Sequence, residues 1–308
     1  MFKLSVVICT YNRCESLREI LQALENQVVS TDCELLVVDN NSNDRTKEMV
    51  SEFSSRSKCP IRYFLEPAQG VSFARNRGVL ESKSEWVAYL DDDTIPSKDW
   101  LQSMMNGINH YQADCIGGPI LPLWPQEPLV APVFHEGISG LFGLLDRGEK
   151  VIQTRKYISN FLLGGNVAYH LEIFKEIGLF RTDLGRTPTS LCGGEDSDMI
   201  QRLLKAGKLA VYDPQILVKH KISPARMKLP YLRKWHYDMG RSTAKISKFN
   251  GGIFSNLIAD CFLSGVFALF YYTARIKEKA VSAEGNFWWK WGMFVELISK
   301  GETKNAER

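Results

Sequence analysis

Three consecutive carboxylates, Asp91-Asp92-Asp93, follow the apolar run Trp86-Val87-Ala88-Tyr89-Leu90. Adjacent like charges repel, and a bound cation or positively charged ligand relieves that repulsion. Carboxylate oxygens are hard ligands suited to Mg²⁺ or Mn²⁺, ions that also hold substrate phosphates. The plainer alternative is an acidic turn ahead of a helix that starts near Ser97, with Pro96 as loop punctuation. A second acidic pair, Glu195-Asp196, follows Gly193-Gly194. Asp196 to Ala206 reads as a helix with Met199, Ile200, Leu203 and Leu204 on its inner face. The pair therefore falls in a first helical turn, where carboxylates also suit the helix dipole.

What positions these groups is a series of strands ending in polar clusters. Leu4 to Cys9 is a short β-branched run of the kind buried in a parallel sheet, and it ends in Thr10-Tyr11-Asn12-Arg13. Leu17, Ile20, Leu21 and Leu24 then share one helical face. Glu34 to Val38 reads as a strand ending in Asp39-Asn40-Asn41-Ser42, and Thr46 to Phe53 as a helix. Ile61 to Leu65 is a third strand, Ser72 to Glu81 a helix carrying Arg75, Asn76 and Arg77, and Trp86 to Leu90 a fourth strand. Alternating strands and helices predict an α/β fold with a mostly parallel sheet, in which ligands bind outside the carboxyl ends of the strands. All three polar clusters fall at such ends. No G-x-G-x-x-G follows the first strand and no phosphate-binding G-x-x-x-x-G-K-[ST] occurs, which argues against dehydrogenases and P-loop enzymes. The chemistry left is binding of a nucleoside diphosphate without a glycine-rich loop. Asp39 can accept hydrogen bonds from a base edge or ribose, Arg75 or Arg77 can neutralise a phosphate, and Asp91 and Asp93 can reach ribose and metal.

Composition agrees with one large domain and additional helices: 308 residues, 44% hydrophobic and 24% charged. A net charge of +3, without basic residues interleaved among aromatics in the pattern of a stacking platform, excludes a nucleic-acid partner. The seven cysteines show neither zinc spacing nor a disulfide framework. Phe2 to Cys9 is too short for a secretion signal, so a reducing, cytoplasmic setting is expected.

Ser5-Val6-Val7-Ile8-Cys9-Thr10-Tyr11-Asn12-Arg13, Val37-Val38-Asp39-Asn40-Asn41-Ser42, Ala74-Arg75-Asn76-Arg77-Gly78 and Leu90-Asp91-Asp92-Asp93 together resemble the family 2 glycosyltransferases. Gly164-Gly165-Asn166 and Gly193-Gly194-Glu195-Asp196-Ser197-Asp198 extend the resemblance, which covers roughly residues 3 to 222. It implies a GT-A-type Rossmann-like sheet flanked by helices, and an inverting enzyme that uses a nucleotide-sugar donor and Mg²⁺ or Mn²⁺. It implies further that Thr10, Tyr11 and Arg13 flank the base, that Asp39 hydrogen-bonds it, and that Arg75 lies near the diphosphate or base. Asp91 then approaches the ribose, with Asn41 and Asp92 counted among the donor-binding residues, and Asp93 is the first metal ligand. Glu195-Asp196 is the catalytic-base segment, Asp196 being the first choice. His220 completes the metal site in some members and is absent or unused in others. The Gly-Gly-Asn segment is either a tight turn or a loop under the donor sugar. Uracil is the commonest base in the family, alongside guanine and thymine. A sugar-nucleotidyltransferase and a non-catalytic nucleotide-sugar-binding membrane adaptor are the rival readings. The first would want a glycine-rich, basic loop after the first strand, where Thr10-Tyr11-Asn12-Arg13 stands.

The expected organisation is a catalytic domain over residues 1–222, with a nucleotide-sugar half to about 118 and an acceptor half over 119–222, then a helical region over 223–308. Residues 119 to 160 hold Pro119, Pro122, Trp124, Pro125, Pro128, Pro132, Phe134 and Phe142 without a regular period, and read as an ordered excursion shaping the acceptor pocket. Met227 to Lys245 reads as a basic, aromatic helix, either a solvated face or a membrane-surface element. Ile253 to Tyr272 approaches transmembrane length but is interrupted by Asn256 and Asp260, and Trp288, Trp289 and Trp291 flank Lys290 in the manner of an interfacial belt. The favoured expectation is a helical hairpin at the cytoplasmic face of a membrane and a glycan or lipid-linked acceptor. The alternative is a helical appendage packed on the core or on a second subunit.

Overall fold

The computed structural model describes residues 2–25, 27, 32–125, 136–247, 252–273 and 277–306. The chain divides into two compact units. The first comprises Met1–Trp124, Gly143–Thr182 and Glu195–Lys221, and the second Pro125–Phe142, Asp183–Gly194 and Ile222–Arg308.

The first unit opens with β1 (Phe2–Thr10), α1 (Cys14–Glu25), β2 (Cys33–Asp39), α2 (Thr46–Ser54), β3 (Ile61–Leu65), α3 (Val71–Glu81) and β4 (Ser84–Asp91). Every residue of β2 is buried, as the unbroken apolar run requires of a strand covered on both faces. Leu17, Ile20, Leu21 and Leu24, with Cys14, are the buried stripe of α1. There follow β5 (Thr94–Pro96), α4 (Trp100–His110), β6 (Cys115–Gly117), β7 (Ile120–Leu123), β8 (Ile152–Thr154), β9 (Asn166–His170), α5 (Glu172–Ile177), α6 (Glu195–Lys205), β10 (Ala210–Tyr212) and β11 (Val218–Lys221). Eight strands form one sheet in the order β3-β2-β1-β4-β9-β6-β10-β8. The pairs β3–β2, β2–β1, β1–β4 and β6–β10 are parallel; β9 runs antiparallel to both neighbours and β8 to β10. Register puts Thr10 opposite Asp39 and Cys9 opposite Asp91, so the three polar clusters do share one edge.

A second sheet, β5-β11-β7, went unforeseen. The segment expected to enter a helix near Ser97 first pairs as β5 with β11, and the helix begins at Trp100. Both outer strands carry a proline, Pro96 and Pro122, where a missing N–H costs no ladder bond. The excursion over 119–160 contains β7 and β8 among its described residues; Pro128, Pro132 and Phe134 lie outside them.

In the second unit two short 3₁₀ turns, Glu136–Phe142 and Pro224–Met227, accompany α7 (Leu229–Ile246), α8 (Gly252–Thr273) and α9 (Lys277–Ala306). Among the described residues no helix is long and apolar enough to cross a membrane. Helices α7 and α9 cross through glycines. A Cβ on Gly240 would stand 1.9 Å from the Trp289 carbonyl oxygen, and one on Gly292 would stand 1.9 Å from that of Tyr237. Either Gly→Ala change is expected to force the backbones apart and to destabilise this unit by about 1–3 kcal/mol, as overpacking does. Gly265→Ala, whose Cβ would meet only the Phe287 ring at 3.4 Å, is expected to be nearly neutral. Thermal denaturation of the three variants checks the contrast.

Candidate active site

The expected site residues all belong to the first unit, and the structure links them into three groups. At the end of β2 the buried Asp39 accepts from the Ser42 amide through Oδ1 (2.8 Å) and from the Tyr63 hydroxyl through Oδ2 (2.8 Å). Burial and this carboxylate together push the Tyr63 phenol above its ordinary value. Asn12 and Asn41 adopt left-handed backbone, φ 52° and 68°, a conformation asparagine tolerates in tight turns. The Asn12 amide donates to Ser42 Oγ, and Asn12 Oδ1 accepts from the Asn43 amide, both at 2.8 Å, so the loops after β1 and β2 are fastened together. Tyr11 is half-buried in this loop and Asn41 is exposed. Asn40 ties the β2 loop to the β3–α3 connection, donating to the carbonyls of Glu66 and Ala68 and accepting from the Gly70 amide.

The second group gathers on the acidic triplet. Asp92 is buried, accepting from Thr10 Oγ1 at 2.8 Å and from Arg13 Nη1 at 2.8 Å. Burial pushes its carboxyl up to about 6, against the pull of Arg13. The same Arg13 nitrogen donates to Asp93 Oδ2 at 2.7 Å, so one guanidinium spans two neighbouring carboxylates. Asp93 Oδ1 lies 3.2 Å from His220 Nε2. Antiparallel pairing of β11 with β5 sets His220 opposite Thr94 and so beside Asp93. An oxygen and an imidazole nitrogen this close, with the acidic run around them, form a donor pair suited to Mn²⁺ and, through the oxygen, to Mg²⁺. Among the described residues no cluster of three or more His, Cys, Asp or Glu side chains is placed to hold a metal ion.

The third group is built on Arg75, 4% exposed on α3. Its Nη1 donates to Glu195 Oε1 at 2.6 Å and its Nη2 to Asp91 Oδ1 at 3.3 Å, while its cationic carbon lies 5.9 and 5.8 Å from the ring centres of Tyr89 and Phe180. Burial works against the charge, but Glu195 and Asp91 outweigh it and the guanidinium stays protonated. Glu195 and Asp196 open α6, as expected. Glu195 is turned inward at 6% exposure, whereas Asp196 is half-buried, accepting from the Gly164 amide (2.9 Å) and the Ser197 amide (2.7 Å). Gly164 and Gly165 let the neighbouring side chains approach closely: a Cβ on Gly164 would stand 2.4 Å from Arg75 Nη2 and one on Gly165 2.7 Å from Asp91 Oδ2, so those side chains would have to shift. Asn166 is fully buried and structural, accepting from Trp100 Nε1 and donating to the carbonyls of Pro119 and Ile216. Tyr63 and the roles of Asn40 and Asn12 escaped the sequence reading; the dense Asn-Asp-Ser content of both loops was the available signal.

This carboxylate-rich edge lies at the carboxyl ends of the parallel strands, where an α/β sheet binds its ligands. The sequence profile of glycosyl transferase family 2 matches residues 5–178, more than half of the chain, and the chain belongs to that family. It is a glycosyltransferase, so the nucleotidyltransferase and adaptor readings fall away. The glucosyl-dolichyl phosphate glucuronosyltransferase of Haloferax volcanii is 26% identical over 239 residues, 75% of this chain and 72% of that protein. The succinoglycan biosynthesis protein ExoM of Rhizobium meliloti is 27% identical over 248 residues, 79% of this chain and 74% of that protein. In fold the chain resembles the Pyrobaculum calidifontis mannosyltransferase PcManGT, solved with GDP-Man and Mn²⁺, at TM-score 0.59 and 16% identity over 97% of this chain and 75% of that one. The fold is accordingly of the GT-A type, with C-terminal helices. The matched profile ends before Glu195, Asp196 and His220.

Proposed function

We propose that this glycosyltransferase moves a sugar, with inversion, from a nucleotide-diphosphate sugar, UDP-linked by preference, to a hydroxyl of a lipid-linked or surface-glycan acceptor. The observation that carries the reading is the division of labour around Arg75: Glu195 is engaged and buried, while Asp196 beside it holds a half-buried carboxylate next to Gly164-Gly165. In one in-line displacement the acceptor oxygen bonds to the anomeric carbon, the bond from that carbon to the diphosphate oxygen breaks, and the acceptor proton passes to Asp196 as general base. A carboxylate oxygen that accepts one N–H still has a lone pair for that proton. No covalent sugar–enzyme intermediate is required, so Glu195 serves as a positioning residue. Asp93 and His220 would hold Mg²⁺ or Mn²⁺, which when bound supplies Lewis-acid stabilisation of the departing diphosphate. Asp39, its carboxylate aimed by Tyr63 and the Ser42 amide, recognises the base; Thr10, Tyr11, Arg13, Asn41, Asp91 and Asp92 complete the donor site.

Donor binding is assigned to residues up to about 118 and acceptor binding to 119–222, with residues 223–308 meeting the cytoplasmic face of a membrane where a lipid-linked acceptor resides. The dolichyl phosphate in the name of the Haloferax relative supports that acceptor class.

The test is a thermal-shift panel of UDP, GDP, dTDP and CDP and their sugar conjugates, with and without Mn²⁺. A ligand that binds only the native state raises the melting temperature by mass action. One nucleotide is expected to give a Mn²⁺-dependent shift that Asp93→Asn abolishes. No shift with any nucleotide in a folded sample, or an unchanged Mn²⁺-dependent shift in Asp93→Asn, overturns the reading.

A further inference from the structure

Over residues 260–269, where its side chains are described, helix α8 packs inside out. The side chains buried in that stretch are small: Cys261, Ser264 and Ala268. Gly265 lies against the Phe287 ring of α9, the Cys261 thiol donates to the Phe287 carbonyl at 3.8 Å, and Lys290 Nζ reaches Ser264 Oγ at 3.3 Å. The large apolar side chains of the same stretch point the other way. Phe262 is 71% exposed and Leu269 67%, with Leu263, Val266 and Phe267 about half exposed between them. Their spacing, a residue with its neighbour and then one turn and two turns on, makes a single continuous stripe along the helix. Asp260 is the one residue among the 22 of α8 charged at neutral pH, and Lys290 lies 3.5 Å from it.

A helix packed in water turns its large apolar groups inward and leaves polar ones outside. The reverse, small residues at the helix–helix contact and bulky apolar ones outside, is the economy of a helix whose surroundings are lipid. The glycine crossings of α7 and α9 follow the same rule. Charge points to the kind of lipid. Residues 222–308 hold fourteen Lys and Arg against seven Asp and Glu, a formal +7, while residues 1–221 carry −4. Two copies meeting through this region would each carry its net +7, whereas an anionic bilayer surface attracts such a charge. Trp291, 40% exposed and stacked on Phe294, supplies the interfacial kind of aromatic.

We propose that the outward stripe of α8, Phe262, Leu263, Val266, Phe267 and Leu269, inserts into the interfacial layer of an anionic membrane while basic side chains of the same unit meet the headgroups. This deepens the membrane contact in the functional reading above by naming the face and the lipid chemistry. The helix lies in the plane of the interface, since no described helix can cross.

The experiment is flotation of the full chain with large unilamellar vesicles of phosphatidylcholine alone and of phosphatidylcholine mixed with phosphatidylglycerol, at low and high salt. The wild type is expected to float with the mixed vesicles, much less with the neutral ones, and to be partly released by salt. The triple variant Phe262→Ser, Val266→Ser, Leu269→Ser is expected to lose at least about tenfold in partitioning, with its melting temperature held because these side chains are exposed. Three outcomes overturn the proposal: a wild type that does not float; a triple variant that floats as well as the wild type; and a concentration-dependent dimer in lipid-free solution that the triple variant dissolves, which would make the face a contact between copies. Nucleotide thermal shifts on the same samples separate the two readings. A wild type that floats but binds no nucleotide sinks the donor-site reading alone, and one that binds nucleotide but does not float sinks the membrane face alone.

Discussion

Asp196→Asn is expected to leave the nucleotide-dependent thermal shift of the wild type in place and to reduce sugar transfer by about 10²–10⁴, the usual contribution of a positioned general base. The reasoning starts from what the carboxylate touches. Its two oxygens accept from the amides of Gly164 and Ser197, and neither contact involves the groups assigned to donor or metal. An asparagine keeps the shape and one of these bonds, so the local cost is about 1 kcal/mol, too little to unfold α6. What the amide cannot do is take a proton from an acceptor hydroxyl. Transfer measured at saturating donor, together with melting temperatures with and without nucleotide, separates chemistry from binding. Wild-type transfer in the variant would remove Asp196 from the base role. A lost nucleotide shift would move the residue into the donor site.

Much of this was legible before the structure. Strands β1 to β4 and helices α1, α2 and α6 are long enough for their apolar pattern to show, and the four residues that the spacing of α1 singles out are all buried. The common edge of the three polar clusters followed from strand–helix alternation alone. The illegible parts share a cause. Strands β5, β6, β8 and β10 have three residues each, too few for any period, and exist because a distant strand pairs with them. His220 reaches Asp93 only through the pairing of β11 with β5, and Tyr63 reaches Asp39 only through the register of β3 on β2. Arg75 could be read as a phosphate ligand from its motif, but its partner Glu195 lies 120 residues further along the chain. Spacing along a sequence cannot announce such a pair.

That pair carries the second large effect. Arg75→Met is expected to destabilise the first unit by about 3–5 kcal/mol, the range for removing one member of a buried ion pair. Arg75 is 4% exposed and Glu195 6%, so water does not replace the lost partner. The methionine fills part of the space between Tyr89 and Phe180, which limits the packing loss and leaves the stranded carboxylate as the main cost. Adding Glu195→Gln should therefore recover a substantial part of the stability, since a neutral amide is cheaper to bury than a lone charge. Arg75→Lys should rescue only in part: the ammonium keeps the charge but lacks the planar fork that meets Glu195 and Asp91 from two separate nitrogens. Urea denaturation of the single and double variants gives the coupling energy directly. Additive losses would mean the two side chains act independently. Strong coupling, with transfer impaired even in the restabilised double variant, would identify Arg75–Glu195 as the brace that fixes the first turn of α6, and with it Asp196, against the end of β4.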